Sequence, residues 1–329
     1  MIRPAKQRPL ASLSLDLDNK WSYLKTHGDA GWESLPSYLD IVVPRVLKLL
    51  AERGLTITWF VVGQDAALER NRAALKSIAD AGHEIGNHSF HHEPWLHLYS
   101  RDQIADELAR AEDAIESATG IRPDGFRGPG YSLSETVLDI LVERGYRYDA
   151  STFPTYLGPL ARAYYFMTAK LSPAERKRRA KLFGTLADGH RPLKPYRWRT
   201  EQGSILEIPV TTLPLAKVPL HLSYLLYLGR FSRFAARRYF RTAMAFCRAA
   251  NLEPSILLHP LDFLGSDDDA DLGFFPAMDR PAGWKLDLAC EVLDGLAGQF
   301  DVLPMGRYAE TLVSAKLPTR RPDFARIGP

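Results

Sequence analysis

The sequence predicts an α/β fold, a distorted (β/α)7-type barrel formed by a single domain. Strand-like and helix-like segments alternate along most of the 329 residues, in seven or eight repeated units. Hydrophobic residues make up 46% of the chain and charged residues 25%, a composition typical of a globular protein with a large core. We therefore expect a barrel over residues 1–315, with an insertion at about 156–200 and a loose tail over 316–329.

The first predicted strand covers residues 12–18, where Leu13, Leu15 and Leu17 face one side and polar residues face the other. A glycine, Gly54, ends the first predicted helix. The elements predicted after the first strand are, in order, a helix over 41–53, a strand over 55–62, a helix over 66–81, a strand over 84–87, a helix over 100–120, a strand near 125–127, a helix over 134–144, strands near 146–149 and 205–210, a helix over 233–250, a strand near 255–259, a helix over 284–299 and a strand near 301–304. This order favours a mainly parallel sheet, whose strand ends carry the chemistry.

Charge is concentrated in one part of the chain. Residues 161–250 contain 18 lysines and arginines against four acids, a net charge of +14 in a chain whose total is +3. This segment indicates an anionic partner, which could be nucleic acid, lipid headgroups or a phosphate-bearing substrate. The alternative is a set of solvated helix faces.

Only two cysteines, Cys247 and Cys290, are present, which excludes a disulfide scaffold and a cysteine-ligated zinc site. The first residues have no apolar segment typical of a signal peptide, and no stretch is apolar for the roughly 18 residues that a spanning helix needs. These features predict a cytoplasmic protein, with attachment to the inner membrane face left open.

Polar residues follow the predicted strands. Asp16 and Asp18 lie two apart, so one strand face carries both carboxylates; a metal or an arginine would relieve their repulsion, unless they only reach solvent. His88 and His92 lie four apart, so one helical turn would direct both imidazoles to the same side. Two such histidines and a carboxylate make a metal site, although a histidine pair alone is more often structural. We expect His91 to point away.

Two further strand ends carry candidate residues. A buried arginine at Arg127 would keep a carboxylate ionised, and the glycine–proline loop after it leaves backbone amides free to face a developing oxyanion. His259 ends a later strand, where it is either a proton donor or a histidine satisfied by backbone.

Together these residues resemble the polysaccharide deacetylase family, carbohydrate esterase family 4, also called the nodulation-protein-type deacetylase domain. The resemblance runs from about Ser12 to Pro304. In chain order the matching motifs are Leu15-Asp16-Leu17-Asp18, His88-Ser89-Phe90-His91-His92 within a GHEIGNH lead, Arg127-Gly128-Pro129-Gly130-Tyr131, Gly145-Tyr146-Arg147-Tyr148-Asp149-Ala150-Ser151 and Leu257-Leu258-His259.

The resemblance implies a role for each residue. Asp16 is the expected general base, Arg127 its orienting partner and His259 the general acid. The loop through Tyr131 is expected to supply a backbone donor to the oxyanion, and Asp149 to tune Arg127 or His259. The expected metal ligands are Asp18, His88 and His92. Zinc is the default ion, and iron, cobalt, nickel or manganese also suits such a site.

The expected activity is hydrolysis of a carbon–nitrogen bond other than a peptide bond. The substrate would be an N-acylated, in the first instance N-acetylated, amino sugar of a glycan or glycolipid. The Asp-x-Asp form of the first motif is similar to a branch that also contains cyclic-amide hydrolases, so an allantoinase- or imidase-like activity is the alternative. A second alternative is a non-catalytic protein that binds an anionic surface. We expect contact with an anionic membrane through the basic insertion, and no nucleic acid partner.

Overall fold

The computed structural model describes residues 8–178 and 186–324. Its strands are β1 (Leu10–Leu17), β2 (Thr58–Val61), β3 (Glu84–Asn87), β4 (Gly125–Phe126), β5 (Tyr148–Asp149), β6 (Tyr196–Arg199), β7 (Ser204–Glu207), β8 (Ser255–Leu258), β9 (Asp301–Leu303) and β10 (Thr319–Arg320). Its helices are α1 (Lys20–His27), α2 (Leu39–Ala51), α3 (Gly63–Ala66), α4 (Glu69–Asp80), α5 (Arg101–Thr119), α6 (Glu135–Glu143), α7 (Gly158–Thr168), α8 (Pro173–Arg178), α9 (Leu222–Gly229), α10 (Arg233–Ala249), α11 (Ala282–Ala297) and α12 (Met305–Thr311).

The strands form one sheet in the order β10-β6-β7-β5-β4-β3-β2-β1-β8, with β9 also paired to β1. Seven neighbouring strands, from β8 to β7, are parallel, which confirms the predicted distorted (β/α)7-type arrangement. Over the described ranges the sheet does not close into a barrel. The backbone N–H of Thr211, beyond β7, donates to the carbonyl of Ser255 in β8 at 2.9 Å and draws the two ends together.

The alternation predicted in β1 distributes its side chains between two environments. Leu13, Leu15 and Leu17 join the main hydrophobic core, which packs against α2, α9, α10 and α11. Ser14 and Asp16 lie on the opposite face and are nonetheless buried. Since parallel sheets are covered on both faces, the polar face of β1 needs partners from other strands.

The structure differs from the expected insertion and tail. The insertion ends before β6, because Tyr196–Arg199 pairs antiparallel with β7 inside the sheet. The tail over 316–324 is not loose: β10 pairs with β6, and the Phe324 ring lies 5.8 Å from the Trp198 ring. Residues 325–329 of the predicted tail and 179–185 of the predicted insertion lie outside the described ranges.

Candidate active site

The first aspartate of the first motif lies against the predicted arginine. Asp16 is near the carboxyl end of β1, and its Oδ1 atom accepts from Nη1 of Arg127 at 2.7 Å. Arg127 follows β4 and is completely buried, so its charge is compensated inside the protein by this carboxylate. An ion pair in such a dry setting restricts the orientation of the Asp16 carboxylate.

The second aspartate lies beside two histidines. Oδ1 of Asp18 is 2.9 Å from Nε2 of His92 and 3.3 Å from Nε2 of His88, and the candidate ligand atoms of all three residues lie within 4.8 Å of one another. Among the described residues, Asp18 Oδ1 and both ring nitrogens of His92 are buried but make no hydrogen bond. Buried lone pairs that converge without bonding one another are a donor set that suits a divalent cation.

The surroundings of the three residues prepare them for a cation. Nδ1 of His88 lies 2.6 Å from the carbonyl oxygen of Arg127. A proton on Nδ1 therefore donates to that carbonyl, and Nε2 is left with its lone pair toward Asp18. Although burial raises it, the pKa of Asp18 is held well below its ordinary value by its neighbours His92 and His88. Two imidazoles and one carboxylate fit zinc and other divalent transition metals.

The turn that carries the two histidines is not helical, contrary to the predicted helical spacing. Ser89 and His92 have left-handed backbone angles, with φ of 60° and 52°. Glu107 of α5, which is buried, accepts from the backbone N–H groups of Phe90 and His91, at 3.0 Å each, and contacts Nδ1 of His91. The turn is therefore held from outside by α5, and His91 points to Glu107 as expected. Sequence patterns did not single out Glu107, which sits on the buried face of an amphipathic helix.

The backbone N–H of Tyr131, which was expected to face an oxyanion, is already hydrogen-bonded within the loop that follows Arg127. The N–H of Tyr131 donates to the carbonyl of Gly128 at 2.9 Å, and Tyr131 has a φ of 63°. The Tyr131 ring stacks on Phe153 with a centroid distance of 4.6 Å. Burial and the charge of Asp16 raise the pKa of Tyr131 well above its ordinary value, so the phenol is neutral.

No direct hydrogen bond joins Asp149 to Arg127 or His259 in the part of the chain that the structure describes, so its expected tuning role stays a prediction. Its Oδ1 atom accepts from Oγ of Ser151 at 2.6 Å, and it lies opposite Glu207 of β7. The pairing of β5 with β7 places Glu207 against Asp149. Arg127 binds other acceptors. Nε of Arg127 donates to the carbonyl of Ala150 at 3.0 Å, and Nη1 donates to Oγ of Ser14 at 2.9 Å.

The predicted acid lies level with the predicted base. His259 follows β8, in which Leu258 pairs with Leu15 of β1, the residue before Asp16. Oγ of Ser223 donates to Oδ1 of Asp262 at 2.6 Å and lies 3.3 Å from Nδ1 of His259. Asp262 also accepts the backbone N–H of His259 at 2.8 Å. The histidine ring is thus oriented through a serine that the sequence did not identify.

A second histidine lies beside His259. The ring centroids of His221 and His259 are 5.5 Å apart. Burial, followed by the charges of His259 and Arg127, lowers the pKa of His221 well below its ordinary value, so this ring is neutral. His221 and Ser223 stand at the start of α9, and nothing in their local sequence indicates that α9 reaches β8.

Another buried acid supports the first motif from behind. Oδ1 of Asp65 accepts from Nδ2 of Asn19 at 2.7 Å and from Nε1 of Trp21 at 3.0 Å. The edge of the Trp21 ring in turn faces His92, with centroids 6.4 Å apart. Burial raises the pKa of Asp65 to about 7.

The expected basic surface is only partly present in the described residues. Arg176 and Lys177 are exposed, while the side chains of Tyr164, Tyr165, Arg178, Arg179 and Lys181 lie outside the described part. Three of the cations in and around α10 are paired with acids outside the basic segment. These pairs are Arg230 with Asp279, Arg233 with Asp287 and Glu291, and Arg237 with Glu291. The aromatic residues Phe231 and Phe234 are 73% and 74% exposed beside them.

No helix within the described ranges is long and apolar enough to cross a membrane. In the run from Tyr224 to Tyr227, Leu225 and Leu226 belong to the core, and only the two tyrosines reach the surface. Tyr224 also contacts His221, with ring centroids 4.5 Å apart. The surface of α9 is therefore continuous with the surroundings of His259.

Comparisons with known proteins find relatives of part of this chain. Residues 29–148 match the family model described as polysaccharide deacetylase. The peptidoglycan deacetylase of Helicobacter pylori is 30% identical over 149 residues, which are 43% of this chain and 49% of that protein. The peptidoglycan-N-acetylmuramic acid deacetylase of Bacillus subtilis is 37% identical over 111 residues, 33% of this chain and 41% of that protein. The chain spans about half the length or less of these curated relatives.

A solved structure resembles the whole fold. A crystal structure from Mycobacterium smegmatis, provisionally named a polysaccharide deacetylase, has a TM-score of 0.60 at 22% identity and covers 98% of each chain. The match with the family model includes His88, His92, Arg127 and Tyr131, whereas Asp16, Asp18 and His259 lie outside it. The first and last motifs lie outside the matched segment. The strand order brings them to the same edge of the sheet, because β1 and β8 are neighbours.

Proposed function

Because the chain belongs to the polysaccharide deacetylase family, we propose that it is a metal-dependent hydrolase that removes an N-acyl group from an amino sugar. The acyl group is in the first instance acetyl, and the sugar belongs to a glycan or a lipid-linked glycan. The observation that carries this proposal is the position of the Asp16–Arg127 ion pair, at 2.7 Å, beside the cluster of Asp18, His88 and His92.

In this proposal Asp18, His88 and His92 hold the metal. A bound divalent ion supplies Lewis acidity, which polarises an amide carbonyl and acidifies water. The three side chains fit that task because their donor atoms are buried, close together and supported from behind, as in the bond between His88 and the Arg127 carbonyl.

Asp16 acts as the general base. Arg127 orients the Asp16 carboxylate, which accepts a proton from the water whose oxygen bonds to the acyl carbon. Ser14 occupies the same guanidinium nitrogen at 2.9 Å, which restricts the arginine further. A backbone donor at Tyr131 would first have to leave the Gly128 carbonyl before it could face the oxyanion.

His259 acts as the general acid. An amine is a poor leaving group unless it is protonated, and histidine exchanges protons near neutral pH. His259 gives its proton to the amide nitrogen as the carbon–nitrogen bond breaks, which yields a carboxylic acid and a free amino sugar. Ser223 and Asp262 support the ring during this transfer.

The deciding experiment is a mass-spectrometric assay of the purified protein on three substrate groups. These are free N-acetyl amino sugars, lipid-linked N-acyl amino sugars and cyclic amides of the allantoin type. We expect release of acetate or formate from an amino sugar. Ring opening of a cyclic amide in its place would establish the allantoinase- or imidase-like alternative. No turnover of any substrate at saturating metal would favour a non-catalytic protein that binds an anionic surface.

We also propose peripheral contact with an anionic membrane, which would present a lipid-linked substrate to the site from the cytoplasmic side. The exposed Phe231 and Phe234 provide apolar anchors, and Arg238 and Arg241 of α10 are exposed and carry no ion pair among the described residues. Apolar anchors next to cations are what binding at a membrane interface requires. Flotation of the protein with anionic vesicles at low salt tests this contact.

A further inference from the structure

A buried pair of acids lies behind the loop that carries Arg127. Asp149 and Glu207 are direct neighbours in the pairing of β5 with β7, and neither is accessible to solvent. Glu207 belongs to none of the five motifs, and the added strand β6 packs beside it.

Glu207 is held from two sides. Its Oε1 atom accepts the backbone N–H of Thr152 at 3.0 Å, and its Oε2 atom accepts Nε1–H of Trp198 at 2.8 Å. On Asp149, Oδ1 accepts from Ser151, whereas Oδ2 is buried and has no donor among the described residues. Two carboxylates this close in a dry environment cannot both be ionised. One proton between them would also satisfy the orphan oxygen of Asp149.

The pair is linked to the catalytic loop through two short connections. Oγ of Ser151 donates to Asp149 and accepts the backbone N–H of Gly128 at 2.8 Å. The carbonyl of Ala150 accepts Nε of Arg127 at 3.0 Å. The residues next to Asp149 therefore hold both the side chain of Arg127 and the backbone that follows it.

We propose that Asp149 and Glu207 share one proton and act as a positioning pair, which holds residues 150–151 against the Arg127 loop and so aims Arg127 at Asp16. The role assigned to Asp16 rests on the proposed function, whereas the shared proton does not. Burial and the charge of Asp149 raise the pKa of Glu207 well above its ordinary value, which favours Glu207 as the protonated partner.

Infrared difference spectroscopy of the folded protein tests the shared proton without any substrate. Glu207→Gln should lose the carbonyl band of the neutral carboxylic acid of this pair, which is told apart from that of Asp65 by the band that Asp65→Asn removes. Asp149→Asn should lose the same band, because the amide now donates to Glu207, which ionises. Glu201→Gln, at an exposed acid before β7, is the matched control and should leave the band intact. A band that persists in both Glu207→Gln and Asp149→Asn would overturn the shared proton.

Kinetics test the positioning role. Ser151→Ala removes the link between the pair and Gly128, so kcat should fall by about tenfold, the effect of one lost buried hydrogen bond, while metal content stays unchanged. Glu207→Leu should lose about tenfold more kcat than Glu207→Gln, because only the amide can still bond to Asp149. Glu201→Gln should behave as wild type.

The outcomes are distinguishable. If Ser151→Ala keeps the wild-type kcat, Asp149 and Glu207 are structural and do not position Arg127. This test remains valid if Glu207→Leu does not fold. A wild-type protein without deacetylase activity would contradict the proposed function, and the infrared bands would still decide the shared proton.

Discussion

Polar groups at the ends of β1, β3 and β4 have partners in the protein interior, whereas some of the charged groups in and around α10 have partners at the surface. Asp16 and Arg127 meet at 2.7 Å in a dry interior, at the ends of two strands far apart in the sequence. Arg230 meets Asp279 at 2.9 Å with both side chains partly in water. Breaking a buried pair leaves an uncompensated charge and is strongly destabilising, whereas an exposed pair contributes about 0–1 kcal/mol.

This difference shows which sequence signals translate into function. A motif of polar residues at strand ends predicts a buried site because the strands force those residues together. The net charge of one segment of the sequence predicts little about the charge of the protein surface, because acids from other segments of the chain can pair with its cations. Asp279, Asp287 and Glu291 lie after the basic segment in the chain and neutralise part of it in space.

The largest effect is expected from removing a metal ligand. His88→Ala or His92→Ala should strip the bound divalent ion and abolish turnover, because each histidine supplies one of three donors. Elemental analysis of the purified variants measures the ion. His190→Ala, at an exposed histidine, should keep it. Metal content equal to wild type in both ligand variants would show that the assignment is wrong.

The next effect is expected at the base. Asp16→Asn should keep the metal but lower kcat by about 10²- to 10⁴-fold, because an amide does not accept a proton from water. Steady-state kinetics and metal analysis on the same preparation separate the two properties. Asp40→Asn changes an exposed acid and serves as the control. Normal turnover in Asp16→Asn would move the base to another residue.

Stability should depend on pH through the buried acid behind the site. Burial raises the pKa of Asp65 to about 7 from 3.8, so the folded protein keeps a proton that the unfolded chain releases. The free energy of unfolding should therefore fall as pH rises through this window, by at most about 4 kcal/mol.

Asp65→Asn cannot ionise and should remove that decline. Denaturant titrations on either side of the window measure it, with exposed Asp113→Asn as the control. A wild-type protein whose stability does not change across the window would mean that Asp65 is ionised when folded.

The smallest effect is expected at the surface of α10. Replacing Arg238 and Arg241 by glutamine should weaken flotation with anionic vesicles by about 1 kcal/mol for each cation. Arg237→Gln should matter less, because Arg237 is already paired with Glu291. If the wild-type protein ignores anionic vesicles at low salt, the surface is ordinary and a substrate free in solution is favoured.

Local sequence was sufficient for the order of the main parallel strands and of the helices α2, α4, α5, α6, α10 and α11, and it supplied the candidate site residues. The alternation over residues 12–18 predicted which face of β1 carries Asp16, because successive side chains of a strand point to opposite faces. The family motifs placed Asp18, His88, His92, Arg127 and His259 at strand ends, and the structure gathers the first four of these directly.

Other features depended on contacts between distant segments. The turn through His88 and His92 takes left-handed backbone angles because Glu107 of α5 binds its N–H groups, so the helical spacing was the wrong reason for their proximity. Asp149 turned toward Glu207 because β7 lies beside β5, and the tail joined the sheet because β6 offered it an open edge.

The amino-acid sequence alone specified the parallel α/β architecture and the residue types of a candidate metal site, since both follow from local periodicity and short motifs. Tertiary structure decided the partner of Asp149, the support of His259 by Ser223 and the pairing of the basic helices. These depend on which segments pack side by side, and burial then determines whether a charge has to find a partner or can remain in water.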